Sequence, residues 1–146
     1  MKVDEYQIWD YNNPGISFSL AWGRITIFKT TLKELGFPEY VHFMCNIDRR
    51  KFAIEACGLD DPGGHRLTEP KNRESCDVKC LELMRFIFRG CGWKEKVTYR
   101  VAGKLNPAKK RVEFDLSEAF EIVEGRLRIP GLDGAGFEDE QKGENR

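Results

Sequence analysis

The sequence predicts an α+β fold, mainly β, built from short antiparallel strands in two helix–hairpin units. Three observations carry that expectation. Apolar and polar residues alternate through Ile16–Leu20, Val97–Val101 and Val112–Leu116, the period of a half-buried strand. Two glycine–aromatic pairs, Gly36-Phe37 and Gly92-Trp93, each close a helical stretch and precede a hairpin pattern. Between them, residues 58–75 hold three Gly, two Pro and seven charged residues, the composition of a loop.

The elements follow in order. Residues 1–15 are polar and aromatic and end in the turn signal Asn-Asn-Pro-Gly. A first strand starts at Ile16, Trp22-Gly23 interrupts it, and Arg24–Phe28 reads as a second. Thr30 and Thr31 read as N-caps of a short helix, 32–35, ended by Gly36 and Pro38. Strands over 40–45 and 52–56 form a hairpin whose turn Asn46 and Asp48 support. A buried strand within 58–75 is not expected. The apolar spacing then predicts a helix over 77–91, with Leu81, Met84 and Phe88 on one face and Asp77 at its N-terminal end. A second hairpin pairs 97–101 with 112–116 around a turn at Gly103–Pro107. Ser117 to Val123 is ambiguous, 126–129 reads as a last edge strand, and 130–146 as a flexible acidic tail. The organisation is therefore 1–15, a first unit 16–57, a linker 58–75, a second unit 76–129, and the tail. The two units echo each other as helix, Gly-aromatic, strand, cationic turn and strand, as an internal duplication would.

With 146 residues, 40% apolar and 33% charged, the chain can bury a core. No apolar run reaches the roughly 20 residues of a membrane helix, and no signal-peptide pattern opens the chain, so a cytoplasmic location is expected. The net charge of zero hides an asymmetry. Residues 76–112 carry ten basic and three acidic residues; residues 113–146 carry four and ten. Such blocks suit an anionic partner or neutralise each other within the fold, and the sequence alone favours neither. Cys45, Cys57, Cys76, Cys80 and Cys91 read as reduced thiols, without paired zinc-ligand spacing, and His42 and His65 add none. No metal or cofactor is expected. Asp60, Asp61, His65 and Glu69 fall in the loop without a nucleophile and matched base, so no enzyme is expected.

Gly23-Arg24-Ile25-Thr26-Ile27, five residues, then Lys33-Glu34-Leu35-Gly36-Phe37 and a hairpin ending in Phe52-Ala53-Ile54 resemble the swapped-hairpin domain of AbrB/SpoVT/MazE-like regulators. The likeness spans roughly residues 23–56 and is moderately specific. MraZ-like members carry two such units, which suits the echo. The chain departs from the pattern with Phe28 where proline is usual, and the second unit has a longer helix and no Gly-Arg strand. The resemblance implies an AbrB-like swapped-hairpin barrel that binds DNA, with Arg24, Lys33 and the neighbouring Lys29 at the site, and a homodimer as one assembly.

The charges make a separate case. Arg49, Arg50 and Lys51 at one hairpin tip match Lys109, Lys110 and Arg111 at the other, and Lys94, Lys96, Arg100 and Lys104 lie at strand ends. Such residues neutralise phosphates, although the same runs also occur as solvated turns. No recognition helix stands out, so base readout is not expected. The expected function is a DNA-binding transcriptional regulator contacting phosphates through basic hairpins. The alternative is a protein-binding inhibitor or adaptor: antitoxin-like, or a mobile-element inhibitor of a nucleic-acid enzyme such as an anti-CRISPR. Its acidic residues from Glu113 to Glu124 and Glu138-Asp139-Glu140 would meet a basic protein partner.

Overall fold

The computed structural model describes residues 13–67, 75–123 and 126–128. The expected acidic tail, most of segment 1–15, and Trp9, Glu69 and Glu124 lie outside them. The strands are β1 (Gly15–Ser19), β2 (Arg24–Phe28), β3 (Tyr40–Asn46), β4 (Lys51–Cys57), β5 (His65–Arg66), β6 (Ser75–Lys79), β7 (Thr98–Asn106), β8 (Arg111–Asp115), β9 (Phe120–Val123) and β10 (Arg126–Arg128). The helices are α1 (Lys29–Glu34) and α2 (Leu81–Cys91), with single 3-10 turns at Ile47–Arg49 and Leu116–Glu118. The fold is mainly β, a nearly closed, barrel-like antiparallel sheet in the order β5-β3-β4-β8-β7-β1-β2-β6, with β9 on β7 and β10 on β9. Among the described residues β5 and β6 do not pair, which leaves one seam.

The two units interleave. β1 pairs with β7 of the second unit, and β5, from the segment expected as a linker, pairs with β3 of the first. The units meet again along β2–β6 and β4–β8. Both pairings are centred: Thr26 faces Asp77 at the middle of one, and Ala53 faces Glu113 at the middle of the other. Exchanging β1–β4 for β5–β8 maps every pairing of the order onto another except β1–β2, whose counterpart would be the seam between β5 and β6, so an approximate two-fold relation passes through those two central pairs. Local conformation repeats as well. Gly36 (φ +80°) and Gly92 (φ +68°) follow the two helices, and Arg50 and Lys110, both at φ +57°, immediately precede β4 and β8. Phe37 N–H donates to Leu32 O and Trp93 N–H to Phe88 O, the same helix-closing bond in each unit.

Alternation decides which side chains fill the barrel. Ile16, Phe18, Ile25, Ile27 and Val101 point inward from one side, Val41, Phe52, Ile54, Val112 and Phe114 from the other. The Phe18 and Phe52 rings meet edge-on at 5.2 Å across the core. Each such fully buried side chain contributes about 1.5–3 kcal/mol. Leu32 from α1 and Met84, Ile87 and Phe88 from α2 complete the core. β7 runs through both sides: its first half pairs with β1 and β9, its second half with β8. Gly103 marks the change, where a Cβ would stand 2.4 Å from the Phe114 ring.

Several expectations are corrected. The helix predicted over 77–91 begins at Leu81, because Cys76 and Val78 are buried partners of Ile27 and Ile25 in β6. Asp77 is thus a strand residue and not part of a helix N-terminus. Thr30 and Thr31 lie inside α1, whose N-cap is Phe28 with no side-chain cap. Thr31 is buried, donates to Gly15 O at 2.7 Å and accepts from Gly15 N–H at 2.8 Å, tying α1 to β1. Within 58–75, the expected loop contains a two-residue strand, β5, which is not buried, and Leu67 beside it is buried, its N–H donating to Glu39 O. Gly103 to Asn106 belong to β7 rather than to a turn. The ambiguous 117–123 contains β9.

Candidate nucleic-acid interface

The barrel has two outer poles, the β2–β6 and β4–β8 pairs, and only some of the predicted cations lie on them. At the β2–β6 pole, Arg24, Thr26 and Phe28 point outward beside Ser75, Asp77 and Lys79. β1 adds Ser17 to this face, and β7 adds Thr98 and Arg100; Ser19 is buried and accepts from Trp22 N–H. Arg24 Nη1 lies 3.4 Å from Asp77 Oδ2, and its guanidinium sits 5.3 Å from the centre of the exposed Trp22 ring. Thr26 Oγ1 donates to Asp77 Oδ1 at 2.8 Å. Arg100 lies over the Phe28 ring at 4.5 Å. Lys79, absent from the sequence-based candidates, stands directly opposite Arg24. Among the described outward residues of these strands, Asp77 is the only carboxylate.

At the β4–β8 pole the signs alternate. Lys51 faces Asp115, and Arg111 faces Glu55. Lys51 Nζ lies 3.4 Å from Asp115 Oδ2, and Arg111 Nε donates to Glu113 Oε2 at 2.8 Å. Asn106 donates to the same Glu113 oxygen at 3.0 Å, and Lys104 faces Glu113 from β7. The hydrogen bonds from Arg111 and Asn106 hold the Glu113 carboxyl below its ordinary value; those from Ser117, helped by Lys51, do the same for Asp115. A groove of about 860 Å³ crosses this face, lined by Arg49, Lys51, Lys104 and Arg111 but also by Glu113, Asp115 and Glu118.

The remaining candidates are dispersed. Lys29 and Lys33 are exposed on α1. Arg50 is half-buried and donates to Ile47 O at 3.2 Å. Arg49 on one tip and Lys109 and Lys110 on the other are exposed, and the antiparallel β4–β8 register puts the two tips at opposite ends of the pair. Lys94 lies 3.4 Å from Glu121. Lys96 borders a separate groove between α2 and the β1–β2 turn.

One constellation was not expected. His42, Cys57 and Asp61 bring ligand-capable atoms within 4.8 Å of one another. Burial first, then the charges of Asp61 and Glu55, push the Cys57 thiol upward. All five cysteines are thiols rather than disulfides.

No family model, curated protein or solved structure matches this chain. No helix among the described residues is long and apolar enough to cross a membrane.

Proposed function

We propose that the protein is a DNA-binding regulator that grips phosphates across the β2–β6 pole, in the manner of the swapped-hairpin family its first unit resembles. One observation carries the reading: Arg24, Lys79 and Arg100 share a face with the hydroxyls of Ser17, Thr26 and Ser75 and with a single described carboxylate. Hydroxyls and guanidinium groups are the usual donors to phosphate oxygens. The Arg24–Asp77 contact is an exposed pair worth about 0–1 kcal/mol, so a phosphate competes readily for the guanidinium. Arg24 and Arg100 flank β1 on different strands, about 12 Å apart by strand spacing and rise, so each meets its own phosphate.

The hairpin strands offer a phosphate less, because Lys51 and Arg111 sit on carboxylates of their own chain. The inhibitor reading gains nothing from Glu113, Asp115 and Glu121, each of which already holds a cation of this chain. Fluorescence anisotropy with mixed-sequence duplex DNA at ~50 and ~200 mM salt tests the proposal. Steep loss of binding with salt, and a log–log salt slope reduced by about one in Arg24→Ala, are expected. Absence of binding at the lower salt, or an unchanged slope in a folded Arg24→Ala, overturns it.

A further inference from the structure

We infer that the turn after β4 closes a divalent-metal site of zinc-like chemistry, with His42, Cys57 and Asp61 as protein ligands and a fourth position open. The hairpin register builds it. His42 on β3 faces Glu55 on β4, and Cys57 lies two residues beyond Glu55 on the same side of the strand. The turn then folds back. Gly58 N–H donates to Asp61 Oδ2 at 2.7 Å, Asp61 N–H donates to Gly58 O at 3.2 Å, and Gly64 N–H donates to Asp61 O at 3.3 Å. Gly63 takes φ +77°, and a Cβ on Gly64 would stand 3.1 Å from Cys57 Sγ, so the backbone lies against the thiol.

The donor set is chemically apt. Imidazole, thiolate and carboxylate are the three ligand types that zinc takes, and three protein ligands with an open position is an arrangement it adopts. The ligand atoms stand within 4.8 Å of one another, and zinc bonds of about 2.0–2.3 Å would bring them to about 3.3–3.8 Å. That is a closure of about 1 Å, within reach of an exposed turn carrying Asp61. His42 Nε2 lies 3.0 Å from Pro62 O, and donating there leaves the neutral ring's lone pair on Nδ1. Nδ1 in turn faces Glu55 Oε1 at 3.9 Å, so the ring, the thiol and two carboxylates converge. On binding, the Cys57 S–H bond breaks, its proton goes to solvent, and the thiolate bonds the metal. The two anionic ligands, Cys57 and Asp61, then balance the dication.

Cobalt(II) titration of the reduced full-length chain, followed by zinc displacement, tests the site. One equivalent of cobalt should give a thiolate-to-cobalt charge-transfer band that zinc abolishes. Cys57→Ser should lose the band and weaken zinc binding by more than about 100-fold, and Asp61→Asn should weaken it by about 10–100-fold. Cys45→Ala, outside the cluster, should keep the band. His42→Gln supplies a second loss from the other strand, and far-UV circular dichroism of the metal-free variants confirms folding. Absence of a band at stoichiometric cobalt, or a band that survives Cys57→Ser in the folded protein, overturns the site.

Discussion

The two poles of the barrel share one plan and differ in charge. Each has a carboxylate at its centre, Asp77 or Glu113, held by one arginine and one neutral donor: Arg24 and Thr26 in the first case, Arg111 and Asn106 in the second. Around Asp77 the outward residues are hydroxyls, cations and Phe28. Around Glu113 they include Glu55 and Asp115, each facing a cation. A count of basic residues in the chain therefore does not tell which face leaves its cations without a facing carboxylate. At the β4–β8 pole Lys51, Arg111 and Lys104 each stand directly opposite a carboxylate, whereas at the β2–β6 pole Arg24 stands opposite Lys79 and Arg100 opposite Ser17.

That comparison is open to direct attack. Removing both arginines of the β2–β6 pole, Arg24→Ala with Arg100→Ala, should lower DNA affinity about 100-fold at ~50 mM salt and cut the salt slope by about two, as anisotropy would record. Making the poles alike should do the reverse. Glu113→Gln with Asp115→Asn strips the β4–β8 pole of two charges, and DNA affinity at low salt should rise about tenfold, with a steeper salt slope.

A smaller effect concerns acid. Both carboxyls at the β4–β8 pole titrate below their ordinary values, so their stabilisation is full at neutral pH and is lost as pH falls through the lowered values. Urea midpoints of wild type and of the Glu113→Gln/Asp115→Asn variant should differ at pH 7 and converge toward pH 3. The least effect belongs to Lys51→Ala. Its exposed pair with Asp115 should be worth under about 0.5 kcal/mol in urea unfolding, and DNA affinity should stay unchanged.

Much of the first unit was legible because its strands alternate cleanly and Gly36 stops α1. The second unit concealed more. In Ser75–Lys79 the alternation is only five residues long and runs at once into the apolar stripe of α2, so β6 was absorbed into the helix. Cys76, Asp77, Val78 and Lys79 carried a period-2 signal that could have placed Lys79 beside Arg24. β5 has two residues and no periodicity to read. Gly103 looks like a turn, yet it serves a close approach of Phe114 inside a nine-residue strand. For the faces, residue types were readable but partners were not. Whether Lys51 meets a phosphate or Asp115 depends on a register between residues 64 apart. The His42, Cys57 and Asp61 cluster was hidden in the same way, since β3–β4 pairing and not spacing assembles it.

The long-range pairings of β1 with β7 and of β5 with β3 also govern how the chain acquires its fold. Neither unit can finish its own sheet: β7 awaits a strand made more than 75 residues earlier, and β3 awaits one from beyond its own hairpin. Ring closure is thus a late, non-local event with a large loop-closure entropy, which places this chain among slow folders for its size. Once closed, the same interleaving makes opening cooperative, because peeling either unit away breaks the β1–β7, β2–β6 and β4–β8 ladders together.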